Sequence, residues 1–306
     1  MKKYFILAAV AVAFAACSNN ESDNQVQNPD NVIRLNASVG KITRAATAIQ
    51  GAAFDADELI NIEVTPSAGT MASKVYKAGE ASGNVNALTP NGSETPFTWP
   101  ANGTIAIKAF YPYVDGKQVT SETASFSVEE NQSTDDNYKK SDLMYSNNIT
   151  AQNKTPDAVG LTFNHALTKI IVKLTPGTGV TDDDIAGCTV KVNAKKSANI
   201  SSGQWTSATD DAAVDITMGM GANNAAIIVP QTITASVGTP ANFITITTAG
   251  THSKTFQLTA NKEFAAGKVY TYNLTVNMSE ITLQSTTITD WEKGNGDNGE
   301  SDNVTI

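Results

Sequence analysis

The sequence predicts an all-β protein built from β-sandwiches, and three observations support this fold class. Apolar and polar residues alternate in short segments such as Ile60–Val64, Ile105–Phe110 and Ile170–Leu174. This period of two is typical of strands with one buried face. Such segments recur at short intervals and are separated by Gly, Pro, Asn and Asp. Helical patterns are rare, the clearest being a capped turn that begins at Thr181.

Residues 1–16 have the pattern of a signal peptide from an exported lipoprotein. Two lysines follow Met1, and the apolar run Tyr4–Phe14 comes next. This run is too short to cross roughly 30 Å of hydrocarbon as a helix. Phe14 to Cys17 resembles a lipobox, with Phe14 where Leu is commoner, and predicts lipidation on the Cys17 sulfur. The alternative is an ordinary signal peptide followed by an unrelated cysteine.

The residues after Cys17 predict a flexible tether, because Ser18–Gln25 is polar and mildly acidic and contains no apolar residue. An acidic tether also resembles the surface-export signal of lipoproteins from the Bacteroides group. No later apolar run approaches the length of about 18 residues that a membrane-spanning helix needs. We therefore expect residues 17–44 to hold a lipidated tether and a first strand, attached to the outer membrane by acyl chains alone.

The composition limits partners and domain number. The net charge of −9 and the pI near 4.7 argue against nucleic acid or an anionic membrane surface as a partner. A chain of 306 residues is long enough for two domains. Asn147–Asp157 has the composition of a linker or long loop, so the predicted domains are 45–160 and 161–306.

Residues with catalytic chemistry are sparse. The sequence has two histidines, His165 and His252, and neither has partners at metal-ligand spacing. His165 lies in an apolar segment and is predicted to be structural, and Cys188 is predicted to be a buried, inert thiol. Nucleophile elbows, phosphate-binding loops and calcium-loop spacings are not found. We expect neither an enzyme nor a bound cofactor or metal.

Several segments, in their order along the chain, resemble the fimbrillin family, the subunits of type V pili in Bacteroides-like bacteria. None is specific alone, but their succession behind a lipobox is. They are Val32–Gly40, Ile42–Ala45, Phe110–Tyr113, Asp142–Tyr145, Phe163–Lys169, Ile228–Gln231, Ala266–Tyr270 and Ile288–Trp291.

This resemblance implies two transthyretin-like β-sandwich domains and a pilus subunit made as a precursor. In the family, an arginine-specific protease removes the lipid anchor and the first strand, and here it would cut between Arg44 and Ala45. The first strand would be Val32–Val39, and its loss would leave an open groove that a neighbouring subunit fills with a donor strand. We expect other pilus subunits and a host or bacterial surface receptor as partners, and a final location in the fimbrium.

The resemblance also points to a donor strand in the C-terminal region. The candidate is Ile281–Trp291, in which Ile281, Leu283, Ile288 and Trp291 are the large apolar residues, with a continuation in Val304–Ile306. The competing interpretation is that this segment is the last strand of the C-terminal sandwich. Arg44 has a similar alternative, as a surface residue between two strands.

A second hypothesis is a lipid-anchored surface module that binds glycans and does not polymerise. Sugar-binding surfaces use exposed aromatic rings, and the candidates here are Trp99, Trp205, Tyr111 and Tyr113. Packing at strand ends explains these rings equally well.

Overall fold

The computed structural model describes residues 31–40, 53–219, 224–249 and 252–291. These residues form 22 strands and two short helices, which confirms the all-β prediction. The elements of the first half are β1 (Leu35–Val39), β2 (Leu59–Pro66), β3 (Ala72–Ser82), β4 (Val85–Pro90), β5 (Ile105–Tyr111), β6 (Tyr113–Val114), β7 (Lys117–Gln118), β8 (Ser125–Ser127), α1 (Asp135–Ser141), β9 (Met144–Gln152) and β10 (Val159–His165).

The second half continues the same pattern of short strands. Its elements are β11 (Thr168–Pro176), α2 (Asp182–Ala186), β12 (Thr189–Ala194), β13 (Ser197–Ser201), β14 (Gln204–Ala208), β15 (Val214–Thr217), β16 (Asn224–Ile228), β17 (Gln231–Ile233), β18 (Ala241–Thr247), β19 (Ser253–Leu258), β20 (Lys262–Phe264), β21 (Lys268–Val276) and β22 (Ile281–Asp290).

Seven strands of the first half close into a barrel, in the order β1-β10-β9-β5-β2-β3-β4. Alternate residues such as Ile60, Ile62 and Ile107 point into its core and are at most 1% exposed. All neighbouring strands in the barrel run antiparallel except β1 and β10, which run parallel. The barrel core is one of two hydrophobic clusters in the described residues.

The second cluster lies between two four-stranded sheets, ordered β16-β11-β21-β22 and β15-β12-β18-β19. Both sheets contribute to it: Val172 and Tyr272 come from the first, and Val192 and Ile246 from the second. Two sheets that share one core in this way form a sandwich-like arrangement. The smaller sheets are β14-β13-β8, β17-β20 and β6-β7.

The chain between β5 and β9 leaves the barrel and packs on the second core. Val119, Phe126, Tyr138 and Leu143 all belong to the second cluster, and β8 pairs with β13. The predicted domain boundary near residue 160 lies at the start of β10, which is a barrel strand. The two-domain division therefore stays a prediction, since residues of the first half build part of the second core.

Several local predictions can be compared with the structure. Thr181 caps α2 and forms a capping box with Asp184, as predicted. Cys188 is buried and free, and burial raises the pKa of its thiol, so the prediction of a buried thiol is confirmed. The linker prediction for Asn147–Asp157 is wrong over its first six residues, because β9 continues to Gln152. The β9 side chains after Ser146 are mostly outward and polar, which hid the strand in the sequence.

No helix in the part of the chain that the structure describes has the length and apolar character needed to cross a bilayer.

The tip of the β13–β14 hairpin packs against the outside of the barrel. Gly203 adopts a positive φ of 75°, and a Cβ built there would lie 2.7 Å from the Phe110 ring and 2.9 Å from Tyr145 Cβ. Lys108 Nζ donates a hydrogen bond to Ser202 Oγ at the same contact. The close approach therefore requires glycine for space as well as for backbone conformation.

We predict that Gly203→Ala lowers the free energy of unfolding by about 2–4 kcal/mol, from overpacking and the positive φ together. Gly116→Ala is the matched control: its φ is 76°, and nothing lies within 4 Å of the added Cβ. The control should cost only about 1–2 kcal/mol. Urea unfolding of both variants measures the difference, and equal losses would show that the hairpin contact is not tight.

Candidate functional site: the seam of the barrel at β1

Strand β1 lies in a slot between β4 and β10, and we call this gap the β1 slot. It pairs in parallel with β10 over five residue pairs, from Leu35 with Val159 to Val39 with Phe163. On its other side it pairs antiparallel with β4 over three pairs, beginning with Leu35 and Leu88. The barrel is therefore closed by a strand close to the start of the described residues.

The hydrogen bonds of β1 continue beyond the strand itself. The Ile33 N–H donates to the Phe97 carbonyl at 2.9 Å, and the Trp99 N–H donates to the Asn31 carbonyl at 2.8 Å. At the other end the Gly40 N–H donates to the Phe163 carbonyl at 2.9 Å. Residues 31–40 are thus bonded to the barrel along their whole length.

Strand β10 depends on β1 for most of its ladder. Its pairing with β9 consists of two residue pairs at its far end, Asn164 with Tyr145 and His165 with Met144. Before that point, β9 reaches β10 through one side chain, Asn148. Its oxygen accepts from the Thr162 N–H at 3.1 Å, and its amide group donates to the Gly160 carbonyl at 3.1 Å.

The side chains of β1 fill the barrel core with a strict alternation. Ile33, Leu35, Ala37 and Val39 are at most 4% exposed and belong to the barrel cluster. Asn36 and Ser38, between them, are only partly buried. Each large apolar side chain of this type contributes roughly 1.5–3 kcal/mol when fully buried. Their removal would leave unfilled space beside Leu161 and Phe163.

A charged group lies at the Val39 end of the slot. Val39, Phe54, Glu58, Lys139 and Met144 line one small cavity there. Lys139 Nζ lies 3.2 Å from a Glu58 carboxylate oxygen and also pairs with Asp55. The Tyr111 hydroxyl donates to Glu58 at 3.3 Å. Burial raises the pKa of Glu58, and the neighbouring Lys139 opposes that rise.

The predicted processing and lipidation residues fall outside the described part of the chain. Cys17, Arg44 and Ala45 lie there, as does the Val304–Ile306 continuation. Arg44 is four positions after Gly40, where the segment containing β1 ends. These predictions therefore stay predictions.

Three of the predicted donor residues lie in β22, an edge strand of the second region that pairs antiparallel with β21, and Trp291 directly follows its end. Ile281, Leu283 and Ile288 are partly buried against the second core, and Trp291 is 6% exposed. Leu283 lies opposite Leu274 and Ile288 opposite Tyr270, with a register shift between them. In this structure the segment completes its own sheet.

The aromatic residues considered for glycan binding do not form an exposed surface. Trp99 and Tyr111 are 3% exposed, and Trp205 packs against the second core with its indole nitrogen buried. Tyr113 is partly exposed on β6. Within the described ranges, no cluster of three or more His, Cys, Asp or Glu could hold a metal ion.

The residues that frame the β1 slot were not predicted from the sequence. The Asn148 side chain bonds to both Gly160 and Thr162 of β10, and we call it the Asn148 clamp. It lies in the segment assigned to a linker. Helix α1, which carries Lys139, was also missed, although Thr134 caps it and acidic and basic residues occupy its first and last turns. Those end signals could have identified the helix.

Comparison with known proteins identifies the family of this chain. A family model described as fimbrillin-like matches residues 43–291. The chain belongs to the fimbrillin-like family. The matched range begins three residues after Gly40, so β1 of this fimbrillin-like protein lies outside it.

Relatives agree with this assignment. Fim1C of Bacteroides uniformis, provisionally named as a fimbrium subunit, is 26% identical over 99% of this chain and 100% of its own length. A crystal structure of a candidate cell adhesion protein from Bacteroides uniformis matches with a TM-score of 0.65 and 21% identity, over 87% of this chain and 100% of that one. Another, from Bacteroides ovatus, has a TM-score of 0.64 at 18% identity, over 85% and 97%. At these identities the two crystal structures support the fold alone.

We predict that Leu35→Ala lowers the free energy of unfolding by about 2–5 kcal/mol, because it opens a cavity in the barrel core. Asn36→Ala is the control, since the Asn36 side chain points away from the core, and it should change stability by about 0.5 kcal/mol or less. Chemical denaturation of the chain that retains β1 measures both. Equal effects would mean that β1 is not packed as described.

We predict that Glu58 makes stability fall as pH rises. Its pKa in the folded protein is raised from 4.5, the unfolded value. The folded protein therefore binds the Glu58 proton more tightly than the unfolded chain does. The stabilising contribution of protonated Glu58 is fully present below pH 4.5 and is lost as pH rises through the folded pKa. Glu58→Gln should flatten this dependence, measured by urea unfolding between pH 4 and pH 7. Glu94→Gln, on the exposed surface, is the control, and its free energy of unfolding should depend on pH as that of the wild type does.

Proposed function

We propose that this protein is a pilus subunit, exported as a lipoprotein precursor and polymerised after cleavage following Arg44. One observation carries the proposal: β1 fills the slot between β4 and β10 and closes the barrel. Cleavage at Arg44 would cut the connection between β1 and the rest of the barrel. Because Cys17 lies 27 residues before Arg44 (44 − 17), the same cut would separate the folded protein from its lipid anchor.

The position of the arginines supports a single processing site. Arg34 and Arg44 are the two arginines of the sequence. The Arg34 carbonyl accepts a hydrogen bond from the Val159 N–H at 2.9 Å, within the segment that is bonded to the barrel. A protease must bind an extended, unpaired stretch of chain, so a folded precursor protects the bond after Arg34.

Loss of β1 would create the binding site for a neighbouring subunit. The backbone groups of β10 that face β1 at Val159–Phe163, and those of β4 at Asn86–Leu88, would lose their partners. Unpaired edges beside an open apolar core are a strong template for an added strand. Since each subunit would both give and receive a strand, the contact is head-to-tail and generates a filament.

Strand β22 is the proposed donor, and its geometry sets a condition. The β1 slot accepts side chains at every second position, as at Leu35, Ala37 and Val39. A straight β22 would place Ile281 and Leu283 on one face and Ile288 on the other. The donor strand therefore inserts the side chains of only one of these faces into the slot, or it keeps its bulge near Gln284 so that both sets face inward. Val304 and Ile306 are a further pair of apolar residues at the required spacing of two.

The test is digestion of the folded precursor, without its lipid, by an arginine-specific protease. We expect one product beginning at Ala45, followed by a ladder of multimers that resists SDS. Arg44→Ala should abolish both, whereas Arg34→Ala, the matched control, should change neither. Cleavage elsewhere, or a product that stays monomeric at high concentration, would contradict the proposal.

A further inference from the structure

The end of β22 is fixed by Trp291, whose ring is buried in the second core. The ring is stacked on the imidazole of His165, with centroids 4.0 Å apart and planes 5° from parallel. The backbone N–H of Trp291 donates to the Gly267 carbonyl at 2.7 Å. Trp291 thus ties the proposed donor strand to His165, the last residue of the barrel strand β10.

A buried polar group supports the other side of His165. Its Nδ1 donates to the Asp142 carboxylate at 2.8 Å, and both side chains are at most 1% exposed. The Lys169 ammonium lies 5.8 Å from the Trp291 ring and 5.6 Å from the Tyr138 ring. Burial lowers the pKa of Lys169, and the charge of Asp142 opposes this. We call Trp291, His165, Asp142, Lys169 and Tyr138 the Trp291 seat.

The Trp291 seat is not saturated with hydrogen bonds. Among the described residues, the second Asp142 oxygen, His165 Nε2 and the Tyr138 hydroxyl have no hydrogen-bond partner. A buried polar network whose hydrogen bonds are only partly satisfied is stabilised less than one in which every hydrogen bond is made. Trp291 is held by stacking on His165, by burial in the second core and by its backbone bond to Gly267; the stacking depends on the position of His165.

The position of His165 depends in turn on β1. His165 is two residues after Phe163, which pairs with Val39 of β1. Without β1, β10 would keep its two ladder pairs with β9 and the Asn148 clamp. One of those two remaining pairs is formed by His165 itself. Fraying of β10 would therefore run from Val159 to Phe163 and reach to within two residues of His165 in the Trp291 seat.

We propose that β10 couples the two strands: β1 in its slot holds His165 in place, and His165 holds Trp291 and the end of β22. The precursor then keeps its donor strand in its own sheet, and loss of β1 loosens it. The part of this inference that concerns assembly rests on the proposed function, because it places release of the donor strand after cleavage of the precursor. The coupling itself is a property of the monomer and is measured without polymerisation.

The first arm of the test displaces β1 in the intact chain. Ala37→Asp puts a carboxylate at a position that is 1% exposed, which is incompatible with a filled slot. Hydrogen exchange should become about fivefold faster or more in β10 and at the Trp291 end of β22. Ser38→Asp, on the outward side of the same strand, is the control and should leave both unchanged. Unchanged β22 exchange beside a freed β10 overturns the coupling.

The second arm uses the reciprocity that coupling requires. Trp291→Ala should speed exchange in β10 at Val159–Phe163 and also hasten cleavage after Arg44. Trp205→Ala, which removes a tryptophan elsewhere in the second region, should do neither. Faster exchange confined to β22 in Trp291→Ala overturns the proposal.

Protection of the β18–β19 hairpin reports that each variant is folded. If Ala37→Asp fails this check, the Trp291→Ala arm decides, because it leaves both strand ladders intact. Coupled exchange without an SDS-resistant ladder would keep the coupling and reject the proposed polymerisation. A ladder without coupled exchange would do the reverse.

Discussion

The parallel ladder between β1 and β10 is the interaction on which the rest of the barrel depends. It joins the start of the described chain to a strand more than a hundred residues later, from Leu35 with Val159 to Val39 with Phe163. A closed barrel has no exposed edges, which are otherwise sites of unwanted pairing. Under the proposed function, closure rests on a strand whose covalent link to the barrel would be cut during maturation. The same ladder would then stabilise the precursor and, after cleavage, leave strand edges that associate with another subunit.

The two hydrophobic cores share one stretch of chain, and this has consequences for the slot. The segment between β5 and β9 places Phe126 and Tyr138 in the second core before returning to the barrel. Both flanking strands, β5 and β9, are thereby anchored outside the barrel. If β1 is lost, β5, β2 and β3 keep their pairing with one another. The change begins at β10 and β4, the walls of the slot, and under the proposed coupling it extends through His165 to the end of β22.

The sequence predicted individual strands well because alternation is a local signal. Ile60–Val64 and Ile105–Phe110 lie within β2 and β5, and Val32–Val39 contains β1. Strand partners are not local, so the parallel pairing of β1 with β10 could not be predicted. Polar strands escaped for a related reason: β9 has few apolar residues after Ser146, and its contribution is made by backbone and by the Asn148 amide.

The candidate site was predictable only in part for the same physical reason. His165 was expected to be a satisfied structural residue; its Nδ1 bonds to Asp142, whereas its buried Nε2 has no hydrogen-bond partner among the described residues. Its stacking with Trp291 joins two segments far apart in the sequence, and no periodicity encodes that contact. The Glu58 and Lys139 pair is similar, since it depends on helix α1, which was not predicted from the sequence.

The two ladders of β1 differ in length, and this gives strand replacement a direction. Pairing with β4 covers Leu35–Ala37, whereas pairing with β10 continues to Val39. The Val39 end is therefore held by one ladder, while the opposite end has further bonds through Ile33 and Asn31. Cleavage after Arg44 would also free the Val39 end from its covalent tether. Under the proposed mechanism, β1 therefore leaves the slot from the Val39 end towards Ile33, and the donor strand enters at the end that opens first, because the fewest bonds must be broken there.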